Sequence, residues 1–217
     1  MKKTIILILT AFSLTFAFSK KVGMNSNEKE ALRYMYEEEK LAKDVYSKLA
    51  QMYPNLKVFQ RIVRAESVHE KSVENVMHHY NLPTPPKGAP GVYANSHIQN
   101  LYNELIKKAK KSPKDALEVG IMVEVTDVED LDRYLKHATS PDVKALFKFL
   151  RAGSYNHYNA FNWSLKNLTG KDACELMSSQ WCKNYPFQRG VGRAYRNWYW
   201  FAGGAGSGGG MMRKMPY

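Results

Sequence analysis

The feature that most constrains the fold is a set of four long segments in which apolar residues recur with the period of an α-helix. The segments cover about 27–53, 56–80, 112–138 and 140–168, and a shorter amphipathic segment covers about 96–111. Ser-Pro pairs at the start of the third and fourth segments are typical of helix N-termini, and Gly170 is a typical stop. Alternation with the period of a β-strand is nearly absent. The sequence therefore predicts an all-α fold.

The connections between these segments predict how the helices pair. The first two segments, and likewise the last two, are joined by short connections, so each pair is expected to form an antiparallel hairpin. The connection between the hairpins is long, contains a Pro/Gly-rich stretch at 82–91 and includes the shorter helix. Two hairpins joined by one long crossover is the connectivity of ferritin-like four-helix bundles. We therefore predict such a bundle over residues 20–170.

The N-terminus differs from this predicted bundle. Residues 1–19 begin with Met and two lysines, continue with an uncharged, mostly apolar run of about 15 residues, and end on small side chains. This pattern predicts a secretory signal peptide and export to the periplasm or the extracellular space. The run is shorter than the roughly 20 residues of a membrane-spanning helix, so an uncleaved membrane anchor is the lesser alternative.

The C-terminus also differs from the bundle. Residues 171–217 carry about +5 of the formal net charge of +12, with aromatic and basic residues followed by a Gly-rich stretch at 203–210 and three methionines. We expect a partly disordered tail. The two cysteines, Cys174 and Cys182, favour a disulfide in an exported protein, because their spacing is not a recognised zinc motif.

Ionisable residues interrupt the apolar stripes of all four long segments. They are Glu39 in the first, Glu66 and His69 in the second, Glu124 and Asp127 in the third, and His157 in the fourth. Burying an unpaired carboxylate costs several kcal/mol, and four converging carboxylates would repel one another. Two divalent cations would balance four carboxylates, and oxygen with imidazole donors favours iron, with manganese as the alternative. We therefore predict that these six residues bind two metal ions.

Each of these residues has a simpler interpretation when taken alone. A Glu-x-x-His pair often lies on a solvated helix face, Glu124 could pair with a buried cation, and His157 could be a hydrogen-bonded core histidine. The coincidence of six donors in phase with four apolar stripes favours the metal site. Glu39 is chosen over Glu38 on the expectation that three successive glutamates cannot all face inward. The other four histidines are expected to face solvent: His78, His79, His97 and His137.

The motifs around these residues resemble those of the ferritin-like superfamily, and of its rubrerythrin-like di-iron proteins in particular. The family's first helix carries Glu-x-x-Ala-x-x-x-Tyr, which Glu39, Ala42 and Tyr46 match. Its second helix carries Glu-x-x-His, which Glu66 and His69 match. Its third helix often carries two acids three residues apart, which Glu124 and Asp127 match. The runs 36–42 and 154–161 look like an uncharacterised branch of that superfamily, a domain of unknown function. The fourth helix of the family normally repeats Glu-x-x-His, whereas Ser154 stands here in place of the glutamate. We expect Asp127 to supply the missing carboxylate.

The resemblance implies an exported di-iron oxidoreductase that reduces peroxide or oxygen, or oxidises ferrous iron. Tyr46 would then lie near the metals as a hydrogen-bond or electron donor, with a core tyrosine as the alternative. A rubredoxin-like domain needs four cysteines, and the chain has two, so electrons would come from an external donor or from ferrous iron.

Two other functions stay open. One is a non-catalytic metal-binding or storage protein, for which the methionines of the tail weakly suggest copper. The other is an envelope interaction module, in which the aromatic and basic tail contacts the envelope and the bundle is a scaffold. Nucleic acid is not an expected partner of an exported protein, and a homodimer is left open.

Overall fold

The computed structural model describes residues 23–177, so the predicted signal peptide and nearly all of the tail, including Cys182, lie outside the described residues. All regular structure in the described part is helical, which confirms the all-α prediction. Six helices follow in order: α1 (Ser26–Met52), α2 (Lys57–His79), α3 (Ser96–Ala109), α4 (Pro113–Leu135), α5 (Pro141–Thr169) and α6 (Ala173–Leu176). None of the described helices combines the length and apolar character that a membrane span requires.

The helices pack in two pairs. The α1–α2 and α4–α5 interfaces are the most extensive, and each pair is joined by a short connection, which makes it an antiparallel hairpin. Contacts between α2 and α5 and between α1 and α4 join the hairpins, so the four long helices contact one another in the cyclic order α1, α2, α5, α4. Helix α3 lies in the long connection and packs on α4 and α1.

Local signals explain where the helices begin and end. Asn25 caps α1 by accepting the backbone N–H of Glu28 at 2.8 Å, and the Glu28 carboxylate accepts the backbone N–H of Asn25 at 2.9 Å. Ser112 caps α4 through the N–H of Asp115 at 3.0 Å. Helix α5 ends at Gly170, whose φ of 77° lies in the left-handed region that glycine adopts without strain.

The apolar core is divided along the helix axes. On α1, buried apolar residues within 31–36 belong to one cluster and those within 41–49 to another, and on α5 the same division separates 143–150 from 155–165. Buried polar residues of all four long helices lie between the two clusters. The fold therefore places a polar layer where the four long helices meet, with apolar packing on both sides.

Glu28 ties the start of α1 to the turn between α4 and α5. Its Oε1 atom accepts the backbone N–H groups of Thr139 at 2.7 Å and Ser140 at 2.6 Å. Burial alone would raise the pKa of Glu28, but backbone hydrogen bonds from Ser140, Asn25 and Thr139 lower it overall. The carboxylate thus accepts hydrogen bonds from backbone N–H groups of the turn that would otherwise have no partner.

We predict that Glu28→Ala lowers the free energy of unfolding by about 2–4 kcal/mol, because it leaves several backbone N–H groups without acceptors. Denaturant unfolding at neutral pH measures this loss. Glu30→Ala is the matched control, since Glu30 lies on the same turn and is exposed. Equal stabilities of the two variants would contradict the role of Glu28.

Candidate metal centre

Three buried residues, Glu66 and His69 on α2 and His157 on α5, form the centre of the polar layer. Each offers a ligand atom, and these atoms lie within 4.8 Å of one another, which is close enough to hold a metal ion. Oε2 of Glu66 is 2.9 Å from Nδ1 of His69, and Oε1 is 2.7 Å from Nδ1 of His157. The Glu66 carboxylate therefore lies between two imidazoles, with one oxygen directed at each.

Glu39 on α1 and Glu124 on α4 flank this centre. Oε2 of Glu39 lies 3.3 Å from Nδ1 of His69, and Oε2 of Glu124 lies 3.6 Å from Nδ1 of His157. Both glutamates are only 2% exposed. Each imidazole nitrogen thus faces Glu66 and one further carboxylate, and the structure brings five of the six predicted ligands into one set of contacts.

The sixth predicted ligand, Asp127 on α4, lies beside the same cluster. It is buried, and it interacts electrostatically with Glu39, Glu66 and His69. The hydroxyl of Ser154 on α5 donates a hydrogen bond to Oδ2 of Asp127. Ser154 stands where the family has a glutamate, and Asp127 was predicted to supply the carboxylate of that missing glutamate. The Ser154 side chain therefore contacts Asp127 directly.

Several buried polar atoms of this layer have no hydrogen-bond partner among the described residues. They are Oε1 of Glu39, Oε1 of Glu66, Oδ1 of Asp127, Nδ1 of His157 and both carboxylate oxygens of Glu38. Folded proteins rarely leave such atoms unpartnered. Oε1 of Glu66 and Nδ1 of His157 approach each other without the alignment of a hydrogen bond. Lone pairs that converge in this way, on oxygen and imidazole nitrogen, fit a divalent metal ion.

Burial and mutual charge shift the pKa values of the whole cluster. Burial raises the pKa of Glu39 to about 7 against the opposing effect of His69, and burial likewise raises the pKa of Glu124 to about 7 against His157. Glu66 differs, because His157 and His69 outweigh the effect of burial and hold its pKa well below the usual range. Burial would lower the pKa of His157, but Glu66 and Glu124 raise it to about 10. Without a cation, the polar layer therefore needs bound protons to limit the repulsion among its buried carboxylates.

Tyr46 on α1 lies next to this cluster. Its side chain is fully buried, its hydroxyl donates a hydrogen bond to Oε1 of Glu124 at 2.5 Å, and its ring packs 5.0 Å from that of Phe161. Burial, followed by the charge of Glu124, raises the pKa of Tyr46 well above its usual value. Tyr46 is thus a neutral phenol that contacts a predicted metal ligand directly.

The three successive glutamates are all buried, but Glu37 contacts the segment before α3 rather than the other long helices. Glu37, Glu38 and Glu39 are 6%, 3% and 2% exposed. Glu37 accepts the backbone N–H groups of Ala94 at 2.6 Å and Asn95 at 3.1 Å, and Glu39 contacts His69. Burial, followed by the charges of Asp127 and Asp130 on α4, raises the pKa of Glu38 well above its usual value. The segment before α3 covers the side of α1 that would otherwise face solvent. The four remaining histidines are exposed, as predicted.

Gly153 on α5 sets the position of the His69 imidazole. A Cβ atom at Gly153 would lie 2.4 Å from Cε1 and 2.5 Å from Nε2 of that ring. The local sequence offers no periodic signal for this contact, because the glycine and the histidine belong to different hairpins. Sequence reasoning therefore missed Gly153.

We predict that Gly153→Ala weakens metal binding by about 10- to 100-fold, the range seen when a residue that orients a metal ligand is altered. Alanine should not unfold α5, because it favours a helix by up to about 1 kcal/mol over glycine. Calorimetric titration of the metal-free protein with Mn²⁺ measures the change. Gly23→Ala, whose Cβ would meet nothing within 4 Å, is the control. An unchanged affinity in Gly153→Ala would show that the ring position does not matter.

The fold and the buried cluster define the class: an all-helical protein with a carboxylate and imidazole site that could hold a metal ion. The chain belongs to the family described as an uncharacterized protein domain, DUF2202, which matches residues 28–183.

Relatives of this family include the uncharacterized protein MJ0754 of Methanocaldococcus jannaschii. That protein is 38% identical over 148 residues, which cover 68% of this chain and 80% of the relative. A crystal structure of hypothetical protein MJ0754 from Methanococcus jannaschii DSM 2661 superposes with a TM-score of 0.68 at 34% identity, over 82% of this chain and 94% of that chain. Neither name states a ligand or an activity.

Proposed function

We propose that this chain is a ferritin-like protein that binds two metal ions, with iron as the native metal and manganese as the alternative, and that it acts as an oxidoreductase. The observation that carries the proposal is the Glu66 carboxylate between two imidazole nitrogens, at 2.9 and 2.7 Å, with unpartnered lone pairs in the same layer. The cyclic packing of α1, α2, α5 and α4, with a long crossover between hairpins, supports a ferritin-like four-helix bundle.

The contacts suggest how the ligands divide between two ions. Glu39 and His69 would serve one ion, Glu124 and His157 the other, and Glu66 would be shared, since its two oxygens face different imidazoles. Asp127, positioned by Ser154, would add the fourth carboxylate. Four carboxylates then balance the charge of two divalent ions. Oxygen and imidazole ligands suit iron and manganese better than metals that prefer thiolates.

Iron held here would supply one-electron chemistry for the reduction of peroxide or oxygen, or for the oxidation of ferrous iron. The chain's own residues would prepare the site. The phenol of Tyr46 keeps its proton and donates to Glu124, while the two apolar clusters exclude water on both sides of the layer. An external donor, or ferrous iron itself, would provide electrons, and the signal-like N-terminus suggests that this happens outside the cytoplasm.

Purification under anaerobic conditions with ferrous iron tests the proposal. We expect about two iron ions per chain, and consumption of added peroxide as the bound iron is oxidised. His157→Ala should lower both the metal content and the consumption, whereas His97→Ala, at an exposed position on α3, should change neither. A wild-type protein that holds no metal would refute the proposal.

A non-catalytic metal-binding protein is the second candidate, and the burial of the cluster favours it. Two surface clefts, of about 310 and 470 Å³, are lined by residues near the start of α1 and the end of α4, and none of the six predicted ligands lines either cleft. The burial of all six predicted ligands suits a site that holds metal without turning over a large substrate. Two bound ions without consumption of peroxide or oxygen would favour this function.

A further inference from the structure

One end of the bundle carries exposed lysines without acidic partners. The hydroxyl of Tyr53, directly after α1, donates a hydrogen bond to the backbone oxygen of Ala109 at the end of α3, at 2.7 Å. The rings of Phe59 and Phe161 lie 5.4 Å apart, which places the start of α2 beside the last turns of α5. We call this region the basic end and define it by six exposed lysines that form no ion pair with the acids of residues 23–177: Lys57, Lys107, Lys110, Lys111, Lys166 and Lys171.

The acids near the basic end are already engaged by other groups. Asp115 and Glu118, near the start of α4, form ion pairs with Lys108 at 3.3 and 2.6 Å. Asp172 and Glu175 form the capping box of α6, in which each side chain accepts a backbone N–H of the other residue. Because these acids do not pair with the six lysines, the basic end keeps an excess of positive charge.

The opposite end of the bundle carries both signs of charge. Arg133, near the end of α4, forms an ion pair with Asp130 at 2.7 Å. Exposed Asp142 lies two residues from exposed Lys144 at the start of α5, and exposed Glu30 lies near the start of α1. The charge of the described bundle is therefore unevenly distributed along its length, which gives the molecule a preferred orientation in front of an anionic surface.

Two large apolar side chains lie exposed at the basic end. Trp163 is 65% exposed and Leu168 is 48% exposed, and both belong to the last two turns of α5, on either side of Lys166 in the sequence. Tryptophan prefers the boundary between lipid headgroups and water, where its ring contacts apolar chains and its N–H stays hydrated. Exposed tryptophan next to unpaired lysines is a combination that suits a lipid surface.

The positive charge continues in the sequence that follows this end. The backbone N–H of Ala173 donates to Oδ1 of Asn162 at 2.8 Å, which holds α6 beside the last turns of α5. The described residues end at Met177, directly after α6. The sequence after Met177 lies outside the described residues and contains six Lys or Arg and no Asp or Glu. The basic end is thus the part of the bundle to which the basic C-terminal sequence is attached.

We propose that the basic end is a docking surface for an anionic phospholipid bilayer. The six lysines belong to three different parts of the fold, so an extended anionic surface can contact them together, and lysines near such a surface are attracted to its headgroups. Trp163 and Leu168 would enter the headgroup region. Leucine does not stack on bases, so the exposed Leu168 favours lipid over nucleic acid. This surface is separate from the proposed metal centre, and neither proposal requires the other.

Lysine labelling of the full chain tests both the contact and its orientation. Acetic anhydride modifies exposed lysines, and mass spectrometry gives the rate at each one. With vesicles of phosphatidylglycerol and phosphatidylcholine, we expect Lys57 and Lys166 to react about fivefold more slowly than in buffer. Lys144 and Lys148, exposed toward the other end of α5, are the internal control and should react at unchanged rates. Vesicles of phosphatidylcholine alone should protect none of these lysines. This readout stays valid if another part of the chain also binds the vesicles.

Two variants test the side chains themselves. Trp163→Ala and the double variant Lys57→Gln/Lys166→Gln should each lower the protection of Lys110 about threefold, because they remove apolar contact and charge from the surface. Lys144→Gln/Lys148→Gln removes the same charge toward the opposite end and should leave the protection of Lys110 unchanged. Both sets alter exposed positions, so the fold should persist, as circular dichroism can verify.

Several results would overturn the docking surface. These are labelling that vesicles do not slow, equal protection at the two ends of α5, and equal protection by vesicles with and without phosphatidylglycerol. Unchanged protection of Lys110 in both basic-end variants would also contradict it. Protection by duplex DNA or by an acidic protein, without protection by the vesicles, would assign the basic end to another polyanion and refute the lipid surface.

Discussion

Glu66→Ala is expected to reduce the metal content from about two ions per chain to none that metal analysis detects. Its two carboxylate oxygens are the only ones among the described residues that approach both imidazoles, at 2.9 Å from His69 and 2.7 Å from His157. Removing this side chain takes one ligand from each of the two proposed metal positions at once. An ion at one position then cannot be held by the ligands of the other. No other single substitution in the layer should have so large an effect.

Glu70→Gln is the matched control for Glu66→Ala. Glu70 is one turn away on α2 and is also buried, but its carboxylate pairs with Lys43 and Lys87 rather than with the histidines. We expect this variant to keep its metal. Metal retained at the wild-type level in Glu66→Ala would refute the proposed centre, and metal lost equally in both variants would indicate a general defect in folding.

Metal-free protein is expected to lose stability as the pH rises from about 5 to 8. The pKa values of Glu39 and Glu124, about 7 in the folded chain against an ordinary 4.5, mean that the folded state binds more protons than the unfolded state in this window. The stabilising effect of such groups is complete below pH 4.5 and is lost as the pH rises through 7. Each of these two carboxyl groups corresponds to a change in the free energy of unfolding on the order of 3 kcal/mol.

His157 also makes the metal-free protein less stable as the pH rises. The pKa of His157, about 10 against an ordinary 6.5, contributes stability that is complete below pH 6.5 and declines as the pH rises toward 10. The lowered pKa of Glu66 opposes this trend only in acid, since it affects proton binding at and below the ordinary value of 4.5. Loss of stability between pH 5 and 8 is therefore the net expectation.

Metal ions should reverse this pH dependence. A divalent cation replaces the protons of the layer, so its binding releases protons and becomes tighter as the pH rises. Denaturant unfolding at pH 5.5 and pH 8, with EDTA or with Mn²⁺, measures both effects. We expect Mn²⁺ to stabilise the protein more at pH 8 than at pH 5.5. Metal-free stability that stays level or increases over this range would contradict the charge arrangement described for the layer.

Much of the helical architecture could be predicted because its signals are local. Each long helix was visible from the apolar period. The start of α4 was visible from Ser112 and Pro113, the start of α5 from the proline at its first turn, and its end from Gly170. The shared direction of Glu66 and His69 followed in the same way, since residues three apart lie on one face of a helix.

Other parts of the site could not be predicted from local sequence patterns, because they depend on contacts between segments that are distant in the chain. Glu37 is buried by backbone groups 57 and 58 residues away, and the helical period of α1 carries no signal for that contact. The bond between Ser154 and Asp127 spans 27 residues. Gly153 matters only because α5 approaches the His69 ring.

The sequence by itself determined that the described chain is helical, where its long helices run, and which ionisable residues share the phase of the apolar stripes, because these properties arise from hydrogen bonding and side-chain spacing within a few turns. Only the tertiary structure decided that Glu37, Glu38 and Glu39 are all buried and that Glu66 lies between the two imidazoles. Those features arise where α1, α2 and α5 meet and where the segment before α3 covers α1, and a pattern within one helix carries no information about the side chains that face it from another segment.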